Sequence, residues 1–383
     1  MGETMRKTVC EQNKCAGCMA CVEMCPRQAI NIVDTRTAYN AEIDQSRCVQ
    51  CGICTKVCHL NQKIELSHPQ SWYQGWIDDE RLRKKSSSGG AAKALSRRLI
   101  EDGGVVVSCC FRNGVFGFES AESIEELEKF TGSKYVKSNP RGVYKKIQTL
   151  LNQGKIVLFI GLPCQVGALK NVIGENDHLY TVDLICHGTP SPKLLSDFLA
   201  LHKVNLKEIS SISFRYKDVF GLEQNRIPLS QLGSCDNYLI AFLCGLDYTD
   251  SCYECKYAGI NRGSDITVGD SWGSDLPTEE KRRGISLVLC QTEKGEELVK
   301  KSKMKLFPVD LEHAVSVNDQ LKRPSPKTKE HDLFFEKYPR KSFNYATFCS
   351  LPSKCVKQRI KGFLLKVAIL RGEDMTYNIS ITK

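Results

Sequence analysis

The sequence predicts a protein of α/β class, α+β overall: a small cysteine-built α+β module, an α/β unit behind it, and a helical C-terminal tail. Three observations carry this. The pattern C-x2-C-x2-C-x3-C occurs twice within the first sixty residues, the second copy 33 residues after the first. Beyond residue 70, short apolar runs alternate with amphipathic stretches, which implies strands and helices in turn and a largely parallel sheet. Near the end, a basic and apolar stretch reads as a helix. The boundaries expected are 1–66 for the module, 70–150 and 151–320 for the two parts of the α/β domain, and 321–383 for the tail.

In the module, Cys15, Cys18, Cys21 and Cys25 lie in CAGCMACVEMCP, and Cys48, Cys51, Cys54 and Cys58 in CVQCGICTKVCH. Three thiolates spaced in this way wrap one face of a cubane, and the fourth ligates the other cluster. Cys15, Cys18, Cys21 and Cys58 are therefore expected to hold one 4Fe-4S cluster. Cys48, Cys51, Cys54 and Cys25 are expected to hold the second, as in a dicluster ferredoxin. Ala16, Gly17, Ala20 and Gly52 are small enough to let backbone amides approach the sulfides. AINIVD and AEID read as short strands. Zinc usually takes two separated C-x2-C pairs, which the tripled spacing fits poorly. Pro26 follows the first quartet, but His59 follows the second. His59 reads as a solvated histidine at a helix start, with a hydrogen bond that tunes the adjacent cluster as the alternative.

After a linker, a strand is expected near 72–77. RKKSSSGGAAKALSRRLIEDGG reads as a loop and a helix ending in glycines, and VVVSCCF as a buried strand. Helix then alternates with strand through GVYKKIQTLLNQGK, IVLFIG, PCQVGALKNVIG, LYTVDLIC, SPKLLSDFLALHK and ISSISFRYK. ISLVLCQT and MKLFPV are later strands, separated by the helical EKGEELVKK. Cys164 and Cys186 sit where two strands end, the place where open α/β sheets gather ligands. Cys252 and Cys255 form a further C-x2-C pair. These four either converge on a third cluster, hold zinc, or are buried thiols packed as small hydrophobes. Cys10, Cys109, Cys110, Cys235, Cys244, Cys290, Cys349 and Cys355 are read as non-ligands.

The run Ser86 to Gly90 places serine hydroxyls and glycine amides at a helix start, which suits a phosphate or an ordinary helix cap. Ser133 and Lys134 in TGSKYVKS are a second phosphate candidate. RGSDITVGDSWG, residues 262–273, reads as a strand and a structural turn.

Twenty cysteines in a 383-residue chain point to metal binding rather than to a disulfide scaffold. MGETMRKTVC carries no apolar run after its basic residues, so no export signal is expected and a reducing cytoplasm is the expected compartment. No apolar run reaches membrane-spanning length. The formal charge of +10 counts ligand thiolates as neutral. With three clusters bound through cysteine the balance falls to about +4. No basic cluster on one face is visible, so nucleic acid is not an expected partner.

Taken in order, SSSGG, GSKYVKS, VLFIGLPCQVGALK, VDLICHGTPSP, CYECKYA and DITVGDSWG resemble one family, the beta subunit of coenzyme F420-dependent hydrogenases and dehydrogenases. The version resembled is fused to an N-terminal dicluster ferredoxin, and the resemblance covers roughly residues 10–320. It implies FAD and one 4Fe-4S cluster in the α/β part. That cluster would lie on Cys164, Cys186, Cys252 and Cys255. The flavin phosphates would lie near Ser87, Ser88, Gly89 and Gly90, with Ser133 and Lys134 as further contacts.

The function expected is an oxidoreductase that exchanges a hydride between a flavin and a carrier, either coenzyme F420 or a nicotinamide. Single electrons would then run through the clusters to a redox protein or ferredoxin. The alternative is a flavin-free iron–sulfur relay, with surface-polysaccharide synthesis as one setting. No catalytic residue is assigned; His187, beside Cys186, is the one candidate for handling a proton. The tail segment Pro352 to Gly372 is expected to pack on the α/β domain, with a membrane-surface or partner contact as the alternative.

Overall fold

The structure, a computed structural model, describes residues 6–367. Helix α1 (Ala20–Met24), strands β1 (Ile30–Asp34) and β2 (Tyr39–Ile43) and helix α2 (Ile53–Val57) form the N-terminal module. The duplicated sequence is duplicated in backbone too. Gly17 and Gln50, 33 residues apart, are both left-handed at φ 67° and 56°. Met19 and Gly52, at the same interval, are left-handed at 63° and 73°. Each cysteine loop therefore curls identically before entering its five-residue helix.

Strand β3 (Ser71–Ile77) opens a second unit and is followed by α3 (Glu80–Lys85), α4 (Ala91–Glu101), β4 (Val105–Arg112), β5 (Val115–Ala121) and α5 (Val143–Asn152). Next come β6 (Val157–Gly161), α6 (Pro163–Ile173), β7 (Leu179–Leu184) and α7 (Pro192–Leu201). A small sheet, β8 (Ile212–Tyr216), β9 (Val219–Gln224) and β10 (Ile227–Pro228), is inserted before α8 (Asn237–Leu243) and α9 (Asp250–Tyr253). Strand β11 (Ile266–Asp270), α10 (Thr278–Arg283), β12 (Ser286–Cys290), α11 (Glu293–Lys301) and β13 (Met304–Phe307) complete the unit. Helices α12 (Leu311–Val317), α13 (Lys329–Lys337), α14 (Phe343–Ser350) and α15 (Pro352–Lys366) follow.

The main sheet has eight strands in the order β13-β3-β12-β11-β7-β6-β4-β5. Only its centre, β11-β7-β6-β4, is parallel; both flanks are antiparallel. The expectation of a largely parallel sheet is corrected to that extent. On one flank the reason is local. Asn113 and Gly114 are both left-handed, at φ 51° and 77°, and join β4 to β5 as a two-residue hairpin. That turn matches the twist of paired strands and returns the chain antiparallel.

Strand alternation sorts the core into two faces. Val105, Val107, Val157 and Phe159 point towards α5, α6 and the N-terminal module. Val106, Leu158, Ile160 and Val182 point towards α4 and α11. The module is thus docked on a shared core, with Cys15, Cys18, Cys21 and Cys58 packed among residues of α5 and α6. The C-terminal helices are not an appendage. Phe334, Tyr338, Phe343 and Ala346 share a buried core with α7, α8 and the inserted sheet. Helix α15 packs beside α8 and α14, and its Gln358 carboxamide oxygen accepts the Cys235 amide at 2.9 Å. Residues 368–372 of the tail segment lie outside the described residues. Among the described residues, no helix is long and apolar enough to cross a membrane.

Candidate metal centres and cofactor cleft

The loops of the module bring its cysteines together across the repeat. Cys15, Cys18, Cys21 and Cys58 border one small enclosed space with Ala16, Met19 and Leu60. Cys54 feels the charges of Cys25 and Cys48, and Cys51 is exposed at the surface. The exchange of the fourth cysteine between the two sets therefore matches the ligand arithmetic of the sequence. The thiols of the first set ring a space, which suits a cubane; among the described residues, no three His, Cys, Asp or Glu side chains converge on a single-ion site. All twenty cysteines are free.

Cys10, read as a bystander, borders the same space. A hydrogen bond from its thiol holds Cys15 and Cys58 below the ordinary cysteine value, Cys58 at about 6, despite burial. Burial pushes Cys18 and Cys21 up. A metal that binds thiolates supplies the compensation those buried sulfurs need.

His59 is not the solvated residue expected from sequence. It is 2% exposed, its Nδ1 lies 3.0 Å from the Tyr257 hydroxyl, and burial lowers its pKa to about 3. Its ring is neutral and braces the module against the α/β unit. Tyr257 itself fits only because residue 167 is glycine: a Cβ there would lie 2.3 Å from its hydroxyl.

The four remaining candidates come from three distant segments. Cys164 opens α6 directly after β6, Cys186 follows the end of β7, and Cys252 and Cys255 sit in and just after α9. They are mutually within electrostatic range. Burial pushes Cys164 to about 12, and Cys255 and Cys252 add to the shift. Cys186 is raised by burial and by Cys252, Cys164 and Cys255. Cys252 is the exception. Burial opposes its ionisation, but Lys137 and hydrogen bonds involving the Thr249 and Thr189 hydroxyls, 3.4 and 3.8 Å from its sulfur, carry it below the ordinary value.

Cys186 also forms part of the wall of a cleft of about 740 Å³. The cleft lies over the carboxyl ends of the parallel strands, with Ser108, Ile160, Gly161, Leu184, Val268 and Gly269 at its floor. Ser87, Ser88 and Gly90 line one end together with Ser133 and Lys134. The two loops are joined there, the Ser133 amide donating to Ser87 Oγ at 3.0 Å. Gly89 has a different task. Its missing Cβ lets the backbone pass between β3 and β12, where an added carbon would meet the Gly75 carbonyl oxygen at 2.4 Å. Lys134 turns its ammonium onto the Phe130 and Thr131 carbonyls at 2.7 and 3.2 Å.

Sequence reasoning missed the residues that hold this loop. Arg215, on β8, forks onto Asp270 at 2.8 and 3.1 Å and donates to the Ser87 carbonyl at 2.9 Å. Lys217 donates to the Arg83 and Ser88 carbonyls at 2.6 and 2.9 Å, and burial lowers its pKa to about 8. Both reach in from the inserted sheet, and no local motif announces them. The expected turn at 271–273 puts Trp272 in the wall, while Ser271 points to Gln74. His187 opens to the cleft, and the protein around it lowers its pKa, so the imidazole is neutral.

Residues 154–308 match the family model for the C terminus of the beta subunit of coenzyme F420 hydrogenase/dehydrogenase. Residues 14–61 match the 4Fe-4S dicluster domain. One component of an ion-translocating oxidoreductase complex from Methanosarcina acetivorans is 44% identical over 52 residues, 14% of this chain and 18% of that relative. The chain thus spans about a fifth of the curated relative it matches. A chain of the F420-reducing NiFe hydrogenase complex from Methanosarcina barkeri, solved as a xenon derivative, superimposes with a TM-score of 0.49 at 21% identity. That superposition covers 67% of this chain and 90% of the other. The two family matches describe an iron–sulfur electron-transfer protein of oxidoreductase type.

Proposed function

From a chain that joins a 4Fe-4S dicluster domain to the coenzyme F420 hydrogenase/dehydrogenase beta-subunit family, we propose an iron–sulfur flavoprotein oxidoreductase. The observation that carries the proposal is the position of Cys186. It belongs to the set Cys164, Cys186, Cys252 and Cys255, and it faces the cleft lined by Ser87, Ser88, Gly90, Ser133 and Lys134.

FAD, when bound in that cleft, would accept a hydride from a carrier and release its electrons singly. The chain's residues do the rest. Arg215 and Lys217 fix the serine loop from behind, so its hydroxyls and amides are held ready for a diphosphate. The apolar floor of the cleft limits water. His187, neutral and open to the cleft, is placed to take or give a proton at the carrier's end. Cys164, Cys186, Cys252 and Cys255 would hold one cluster beside the flavin, and the eight module cysteines two more. Exposed Cys51 marks the outlet to a redox protein. The carrier is coenzyme F420 or a nicotinamide, and the setting is the cytoplasm of an anaerobe. The units are 1–66, 70–150 with 151–320, and 321–383.

The test is flavin identity and stoichiometry in anaerobically purified protein. FAD near one per chain supports the proposal. No flavin after reconstitution with FAD overturns it and leaves an iron–sulfur relay.

A further inference from the structure

We propose that Lys137 is a fixed positive charge at the junction of two redox centres, and that it sets their reduction potentials together. The two are the Cys164, Cys186, Cys252 and Cys255 set and the Cys15, Cys18, Cys21 and Cys58 set. The inference rests on the reading that both sets hold 4Fe-4S clusters, and it adds where the relay crosses from the α/β unit into the module.

The placement of Lys137 is built from both sides. Its backbone amide donates to the Pro190 carbonyl at 3.0 Å, four residues beyond Cys186. Its ammonium donates to the Ala16 carbonyl at 3.1 Å, between Cys15 and Cys18. The same nitrogen lies 5.5 Å from the ring centre of Tyr39. The stem packs on the module as well. A Cβ added at Gly17 would lie 3.1 Å from Lys137 Cδ, and Gly17 is already left-handed. Lys137 is 5% exposed.

A buried ammonium costs several kcal/mol unless an anion faces it. Among the described residues, no carboxylate forms an ion pair with Lys137; every ion pair of this region involves other cations. The anions that face it are sulfurs. Burial lowers its proton affinity, yet Cys252, Cys164, Cys186 and Cys15 together leave it above the ordinary lysine value. Three of those belong to one set and the fourth to the other. A charge so placed has no structural partner apart from what the cysteines bind. A 4Fe-4S core with four thiolates is an anion that becomes more negative on reduction. A cation shared by two such sites favours the reduced form of each, and low dielectric makes its effect larger than that of a surface lysine. Tyr144 and Tyr257 fill the rest of the wall, each within electrostatic range of Cys18 and Cys164. The Cys48, Cys51, Cys54 and Cys25 set has no such contact and lies on the surface side of the module.

The experiment uses the full chain, purified anaerobically, with Lys137→Met, Lys137→Gln, Lys137→Arg and Lys256→Met. Iron and labile sulfide are counted first. Redox titrations followed by electron paramagnetic resonance then assign each signal with the ligand variants Cys186→Ser, Cys18→Ser and Cys48→Ser. Lys137→Gln keeps a donor for the Ala16 carbonyl and removes only the charge. The expected result is iron at the wild-type level and a reduction equilibrium at least tenfold less favourable at two of the three centres, about 59 mV for one electron. The third centre stays where it was, and Lys137→Arg stays near wild type. Lys256, exposed but near Cys58 and Cys255, serves as the screened control and moves the potentials less. Full iron with unmoved potentials in Lys137→Gln overturns the proposal alone. Wild-type iron near eight rather than near twelve per chain removes the third centre and overturns the underlying reading with it. Iron loss in every Lys137 variant assigns the residue a purely structural role and also overturns the proposal.

Discussion

Glu23 ties the N-terminal module to the α/β unit, and removing its carboxylate is expected to loosen that joint. The side chain is 8% exposed and leaves α1 to cap the start of α5. It accepts the Gly142 amide at 2.8 Å and the Lys145 amide at 2.6 Å. A hydrogen bond to a charged group contributes about 1.5–3 kcal/mol. A carboxylate at a helix N-terminus adds about 0.3–1 kcal/mol from the helix dipole. The freed amides of Gly142 and Lys145 lie at the surface and rebond to water, so part of the loss is recovered. The expected cost of Glu23→Ala is therefore about 2–4 kcal/mol, and Glu23→Gln, which keeps one acceptor, falls near half of that. Anaerobic denaturant unfolding, followed through the cluster absorbance and through far-ultraviolet circular dichroism, reads both. The module signal should move to lower denaturant in Glu23→Ala. If Glu23→Ala unfolds at the wild-type midpoint with unchanged slope, the capping contact carries no stability and the argument for a rigid joint fails.

Asp247 is fully buried with both carboxyl oxygens unpartnered, and burial raises its pKa well above the ordinary value. The folded state then holds a proton that the unfolded state releases above about pH 4, so this residue costs stability as pH rises. Asp247→Asn should raise the melting temperature at pH 7 and give no gain near pH 4; an equal gain at both values refutes the titration argument. Arg215→Met leaves the Asp270 carboxylate unpaired beside the cleft, at a cost of about 3–5 kcal/mol for a broken buried pair. It should also lower FAD content after reconstitution, and full flavin occupancy in this variant would show that the serine loop does not depend on its brace. Removing iron by oxidation and chelation should unfold residues 1–66 first, since two five-residue helices and one strand pair bury too little to stand alone. Proteolysis confined to that module is the expected outcome; cleavage beginning in the eight-stranded sheet would contradict it.

The sequence by itself determined what depends on short spacing. The two cysteine quartets and their exchanged fourth cysteines are legible because a cubane dictates local ligand intervals. The strands and helices of the α/β unit are legible because burial on one face repeats with a fixed period. Asn113-Gly114 was an available signal for the antiparallel flank, and reading it as a hairpin would have corrected the sheet. Tertiary structure alone decided the rest. Cys164, Cys186 and the Cys252–Cys255 pair lie far apart in the chain and meet only because β6, β7 and α9 end at one place. Arg215 and Lys217 reach the serine loop from an inserted sheet with no motif of its own. His59 looked solvated because its burial comes from Tyr257, 198 residues away. Lys137 differs from any other lysine in the sequence only through what packs against it. The charge state and partners of a buried polar group are set by the surface that closes over it, and that surface comes from residues remote in sequence.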